Sequence, residues 1–394
     1  MLEYALAAGL CASGGDAYML HVTTTPSVSY IARCDGFDCG VMISASHNGY
    51  SDNGIKLMNG QGEKLVGGVI SLIERYLDGD IQPFGGDIPF AYGRDVGRTV
   101  DYTSGRNRYT GHLISLATCS YKGLKVGLDG ANGSAFSIAR SVFDALGAKT
   151  FTIGDCPDGT NINGGVGSTN IEALKELVIK NGLDIGFAFD GDADRCIAVD
   201  ERGEIVTGDE ILYLLANYLK NSGYLSGNRI VCTVMSNGGL LKSLENSGIC
   251  AQVCAVGDAA VWREMCRTGA VLGGERSGHI VYSKYETTGD GLVTALMVME
   301  AIVGSDCALS ELLKGYKTFP QILENIEVFD KKLAMSGVEE LAQELSAKLG
   351  VRIVARPSGT ENMVRIMAEG ESADAARRAC GLLRKKITEN IGIC

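Results

Sequence analysis

Apolar and polar positions along the chain alternate between two periods. In "LKVGLDGANGSAFSIARSVFDALGAKTFTIG", residues 124–154, a short apolar run passes into a Gly- and Asn-rich loop. Apolar positions spaced by three and four follow over 137–148, and a second apolar run closes the stretch over 149–154. Short runs bounded by turn residues predict strands, and three-and-four spacing predicts helices with one buried face. The same alternation predicts a helix over 170–182, a strand over 184–190, a helix over 208–224, a strand over 228–236 and a helix over 238–248. Repeated strand–helix–strand units imply mostly parallel sheets covered by helices, with ligands held in the polar loops at strand ends.

The last stretch has another rhythm. A helix over 337–350, a strand–loop–strand over 352–370 and a helix over 374–391 predict a small α+β unit. The fold class is therefore α/β, with three α/β domains over 1–105, 106–203 and 204–318, and a smaller α+β domain over 319–394. A chain of 394 residues exceeds what one core usually supports, which fits several domains. The opening "MLEYALAAGLCASGG" carries Glu3 and no basic region, so it predicts a helix stopped by Gly14 and Gly15 and not a secretion signal. No apolar stretch reaches membrane-spanning length, and no membrane association is expected.

Composition narrows the chemistry. A net charge of −11 argues against nucleic-acid binding, which needs a basic face, but leaves room for a small anion held by a few converging cations. The thirteen cysteines are odd in number and scattered, and none forms a CxxC pair, so they predict free thiols in a reducing, cytoplasmic setting instead of disulfides or a zinc ribbon.

Four loops carry candidate chemistry. "FDGDADRCIAV" places Asp190, Asp192 and Asp194 at alternate positions, on one face if the backbone is extended. Three carboxylates so close repel one another unless a cation sits among them, and an all-oxygen donor set selects Mg²⁺ or Ca²⁺. An EF-hand is ruled out by Arg195 where its turn needs Gly, and by flanks that read as strands. A phosphatase that forms an acyl phosphate on Asp190 is a rival reading, as is a plain solvated acidic turn. "GGERSGH" offers Glu275, Ser277 and His279 for hydrogen bonding to a polyol, or forms an ordinary turn. "VARPSGTENMVRI" places Ser358, Gly359 and Thr360 between Arg356 and Arg365, a composition suited to a phosphate dianion. "SASHN" holds Ser46 beside His47, with Lys56 downstream, and raises the question of what activates a serine in such a loop.

Taken in order, "SASHN", "DGDADR", "GERSGH" and "RPSGTE" resemble the motifs of the α-D-phosphohexomutases, over essentially the whole chain. The resemblance implies a four-domain enzyme in which each motif comes from a different domain around one cleft. It implies that Ser46 carries a phosphoryl group, exchanged with a sugar phosphate through a bisphosphorylated intermediate. Mg²⁺ would sit on Asp190, Asp192, Asp194 and the phosphate of phospho-Ser46, with Arg195 on the same phosphate. His47 and Lys56 would move the hydroxyl proton, and Glu275, Ser277 and His279 would grip the sugar. Arg356, Ser358, Gly359, Thr360 and Arg365 would hold the phosphate that is not reacting. "MISASHN", "GGERSGH" and "ETTGDG" most resemble the members that interconvert glucosamine 6-phosphate and glucosamine 1-phosphate on the route to UDP-N-acetylglucosamine. Glucose or mannose phosphates are the alternative substrates, and a homodimer is common in such a family.

Three positions depart from the family pattern: Gly49 and Asn362 stand where Pro is usual, and Ala259 where Arg is. The family's usual opening strands, with a "GTDGIRG"-like segment, have no counterpart before the first helix. This predicts a truncated first domain with unpaired backbone groups and uncovered apolar surface, and hence a catalytically impaired sugar-phosphate binder as a further alternative.

Overall fold

The computed structural model of the chain describes residues 1–358 and 362–392. It divides into two compact units, Met1–Met235 with Ile249–Leu313, and Ser236–Gly248 with Lys314–Cys394.

Most of the elements read from periodicity are present. The helices run over Ile138–Ala145, Glu172–Asn181, Gly208–Asn221 and Gly238–Asn246, and the strands over Lys149–Ile153, Ile185–Phe189 and Arg229–Thr233. Gly182 ends its helix in the left-handed conformation, φ +55°, as a C-terminal Gly should. The first helix runs over Leu2–Ala12, and Gly14 beyond it has φ +91°. No helix among the described residues is long and apolar enough to cross a membrane.

In the first unit, a five-stranded sheet has the order Lys149–Ile153, Lys125–Asp129, Ile185–Phe189, Cys196–Asp200, Ile205–Val206. Its first three strands are parallel and its last two pairings antiparallel. Ile185–Phe189 and Cys196–Asp200 are buried at every residue, which explains their unbroken apolar character. Ala188 and Val199 pack with Leu174 and Val178. Phe187 points to the opposite face, where its ring centroid lies 5.8 Å from that of Phe143. A four-stranded sheet follows, in the order Cys250–Cys254, Arg229–Thr233, Leu272–Gly274, Ile280–Tyr282, with an antiparallel last pair. Beside it runs the apolar helix Gly291–Ser305, capped by Asp290, whose carboxylate accepts from the backbone of Leu292 and Val293.

The first domain is built from smaller pieces. Ala17–Met19 runs parallel to Thr99–Asp101, a strand that periodicity does not reveal. That pairing bonds one edge of Ala17–Met19, and Ala17 and Met19 bury against Ala7 of the first helix. Cys39–Ile43 and Ile55–Asn59 form an antiparallel hairpin.

In the second unit, Gln321–Glu327, Met363–Glu369 and Arg352–Pro357 make an antiparallel sheet. Helices Val338–Leu349 and Ala373–Asn390 cover it with a core that includes Leu345, Leu383 and Ile387.

The sequence motifs do not sit where parallel sheets would put them. Residues 44–54, 190–195 and 275–279 each join two antiparallel strands, and the fourth motif lies along the antiparallel pair Arg352–Pro357 and Met363–Glu369. A turn held by paired strands on both sides fixes its side chains more firmly than the open end of a parallel strand, where only one flank is bonded.

Candidate active site

Ser46 opens the site. Its φ of +55° is left-handed, a strained conformation that costs a non-glycine residue about 1–3 kcal/mol and tends to mark functional positions. The turn is held by the Ser46 N–H, which donates to Ser44 Oγ at 2.8 Å. Ser46 Oγ donates to Asp190 Oδ2 at 2.5 Å, so the serine meets the first aspartate across 144 positions of sequence. Gly191 makes that approach possible, because a Cβ there would lie 2.5 Å from the Ser46 carbonyl oxygen.

Asp190, Asp192 and Asp194 are all buried, with carboxylate oxygens within 4.8 Å of one another. An extended backbone was expected to align them. They converge instead on a turn, with Ala193 at φ +58° and its N–H donating to the Asp190 carbonyl at 3.0 Å. Asp192 Oδ1 and Asp194 Oδ1 are buried without a hydrogen-bond partner. Lys56 Nζ bonds Asp192 Oδ2, and lies 2.9 Å from Asp194 Oδ2. Three convergent carboxylates with two orphaned oxygens fit a hard divalent cation, and Lys56 stands in part for its charge.

The electrostatics follow from this crowding. Burial, reinforced by the charges of Asp194 and Asp192, pushes Asp190 well above the usual carboxylate range. Burial works against the charge on Asp194 as well, but His279 and Lys56 outweigh it and hold that carboxyl low. Burial likewise opposes the charge of Lys56, which Asp194 and Asp192 more than offset, so its pKa is raised. His47 is pushed down by burial and by Arg195, which favours its neutral form. Arg195 stays at the site through its own N–H, 3.2 Å from Asp190 Oδ1, and its Nε, 3.8 Å from Asp194 Oδ1.

The loop 275–279 is stitched to the acidic one. The Cys196 N–H donates to the Gly278 carbonyl at 3.0 Å, and the Gly291 N–H to the Ala193 carbonyl at 3.0 Å. Ser277 is exposed, and Glu275 is half-buried with Oε1 accepting from the Gly257 N–H at 2.9 Å. His279, expected among the sugar contacts, is buried instead. Its Nε2 accepts from the Gly289 N–H at 3.1 Å, which leaves the proton on Nδ1, 3.8 Å from Asp194 Oδ1. It supports the aspartate and does not face open space.

In the second unit, Arg356 and Arg365 are direct cross-strand partners, which brings two cationic side chains onto one face of the sheet. Ser358 donates its N–H to the Met363 carbonyl at 2.9 Å, and its own carbonyl accepts from Lys331 Nζ at 2.8 Å. Gly359 and Thr360 lie outside the described residues.

Two contributors had no signal of chemistry in the sequence. Thr25 donates its N–H to the Asp192 carbonyl at 3.0 Å and its hydroxyl to Asp192 Oδ2. The run "TTTPS" spans the start of the helix Thr25–Cys34, where Thr24 is the N-cap and Pro26 sits in the first turn, a signal for a helix start but not for a partner. Asn163, 117 positions from Ser46, donates to the Ser46 carbonyl at 2.9 Å and to the Asn48 carbonyl at 2.8 Å.

Family models for phosphoglucomutase/phosphomannomutase match the chain in order: alpha/beta/alpha domain I over 1–82, domain II over 107–203, domain III over 207–319, and the C-terminal domain over 316–385. The domain I match begins at residue 1 and does not support the expectation of a truncated first domain. A phosphoglucosamine mutase of Lachnospira eligens is 54% identical over 382 residues, covering 96% of this chain and 84% of its own length. One from Bacillus licheniformis is 44% identical over 398 residues, covering 100% and 88%. A phosphoglucomutase/phosphomannomutase family protein of known structure from Burkholderia thailandensis superposes with a TM-score of 0.80 at 24% identity, covering 99% of this chain and 86% of that one. At that identity the likeness concerns the fold alone.

Proposed function

Because the chain belongs to the phosphoglucomutase/phosphomannomutase family, we propose that it interconverts glucosamine 6-phosphate and glucosamine 1-phosphate by passing a phosphoryl group between Ser46 and the sugar. The observation that carries the reading is the hydrogen bond from Ser46 Oγ to Asp190, inside a cluster of three buried carboxylates, two of whose oxygens have no hydrogen-bond partner.

Phospho-Ser46 is the primed state. Its Oγ–P bond breaks as the free hydroxyl of the sugar monophosphate forms a new O–P bond, and the proton lost by that hydroxyl passes to the protein while Oγ is reprotonated. The bisphosphorylated sugar then turns end for end and returns its other phosphoryl group to Ser46, reversing the proton movements. Neutral His47, set so by its surroundings, is suited to accept the proton, and Lys56 takes the donor role by its place in the motif, against the hold of Asp194 and Asp192 on its charge. Arg195 steadies the transferring phosphoryl group. Asp190, Asp192 and Asp194 would hold Mg²⁺, which would supply charge neutralisation for the transferring group. Glu275 and Ser277 take the sugar hydroxyls. Arg356, Ser358 and Arg365, with Gly359 and Thr360, hold the phosphate that is not reacting. The free state of every described cysteine supports a reducing, cytoplasmic setting.

Mass spectrometry of the protein after treatment with a bisphosphorylated hexose tests the central step. A single phosphoryl group on Ser46, discharged by glucosamine 6-phosphate, supports the reading, and one on Asp190 overturns it. A substrate panel of glucosamine, glucose and mannose phosphates decides the sugar.

A phosphate held equally in ground and transition state contributes to KM and leaves kcat alone. Removing one charge-assisted contact with Arg356→Ala is therefore expected to raise KM by about 10–100-fold. Steady-state kinetics check this; a fall in kcat at constant KM contradicts the assignment.

A further inference from the structure

Resting on the phosphoserine reading above, we propose that Asn163 is a positioning residue for phosphoryl transfer: its side-chain amide draws the carbonyls of Ser46 and Asn48 away from the transferring group and holds Ser46 in its left-handed turn. Asn163 Nδ2 donates to both carbonyl oxygens at once, at 2.9 and 2.8 Å. Its Oδ1 is buried and has no hydrogen-bond partner. A buried amide with one half unpaired is a poor choice for stability alone, and the paired half faces the nucleophile's own turn.

The anchoring of Asn163 is as deliberate as its aim. Its backbone is also left-handed, φ +56°, and its N–H donates to the Ala131 carbonyl at 2.8 Å. Its own carbonyl accepts from Asn170 Nδ2 at 2.9 Å. The amide is thus fixed from the second-domain side before it reaches across to the turn of residues 44–54. Carbonyl oxygens left free near a phosphoryl group would repel its oxygens, and a turn released from strain would swing Oγ away from Asp190. Both faults act on the chemical step and not on sugar binding.

A left-handed backbone suits glycine, so Asn163→Gly removes the amide at little cost to the local fold. Asn163→Asp keeps the shape but turns the donor into an acceptor facing two carbonyls. We expect kcat to fall about 10-fold in Asn163→Gly and about 100-fold in Asn163→Asp, with KM within twofold of the parent. The amount of Ser46 phosphorylated after priming, read by mass spectrometry, separates a lower rate per primed site from a loss of primed sites. A purely structural role would lower the primed fraction and the melting temperature together and leave the rate per primed site intact. That result, or a folded Asn163→Gly with kcat within twofold of the parent, overturns the proposal. If the parent protein itself takes no phosphoryl group on Ser46, it is the mutase reading that fails, and the two failures are told apart.

Discussion

Exchanging Ser46 for alanine abolishes isomerisation, with kcat falling by at least ~10⁴-fold, because the covalent route disappears and no neighbouring hydroxyl shares its position. The mass of the treated protein no longer rises by a phosphoryl group. The turn around Ser46 makes a second comparison informative. Alanine at φ +55° keeps the strain of a Cβ in the left-handed region, whereas glycine relieves it. Ser46→Gly is therefore expected to be as inactive as Ser46→Ala yet about 1 kcal/mol more stable, measured by thermal or urea unfolding. A turn that gains stability when its functional residue is removed is one whose strain serves the reaction. Residual isomerisation in both variants, or equal stability of the two, would refute this account of the turn.

Asp192→Asn is expected to weaken Mg²⁺ binding by at least ~100-fold and to cut activity at limiting metal in proportion, since a carboxylate that would touch the ion matters more than the outer contacts whose loss costs about 10–100-fold. Lys56→Met should do the opposite to binding. Lys56 bonds two of the oxygens that an ion needs, so without it Mg²⁺ binds no less tightly than in the parent. Without metal, however, the variant keeps buried carboxylates stripped of their cation, and breaking such a pair costs about 3–5 kcal/mol. Melting curves with chelator and with saturating Mg²⁺ should show a larger metal-dependent gain in Lys56→Met than in the parent, and almost none in Asp192→Asn. Calorimetric titration gives the affinities directly. Equal metal response in all three proteins would place the ion elsewhere.

Local signals made much of this legible in the sequence. The strand Ile185–Phe189 reads clearly because each residue is apolar and a polar turn follows. The acidic loop reads as a cation site because like charges so close demand an explanation. What eluded the reading has no local signature. The strand Thr99–Asp101 is three residues long and paired with one 82 positions away. Asn163 and Thr25 look like an ordinary loop residue and an ordinary first residue of a helix until the fold brings them to Ser46 and Asp192. The turn at Ala193 defeats a period-two reading because a left-handed alanine is not a residue from which one infers a bend. The antiparallel pairing under each motif was hidden for a related reason. Periodicity distinguishes strand from helix but says nothing of the direction in which a buried strand's neighbour runs.

That pairing bears on how such an enzyme can change its diet. Each chemical task rests on its own short ribbon, so the residues 275–279 could be exchanged for a different turn while the neighbouring strands keep their register. New tastes in hexose would then arise by swapping one module, and the phosphoryl machinery on the other ribbons would be inherited untouched.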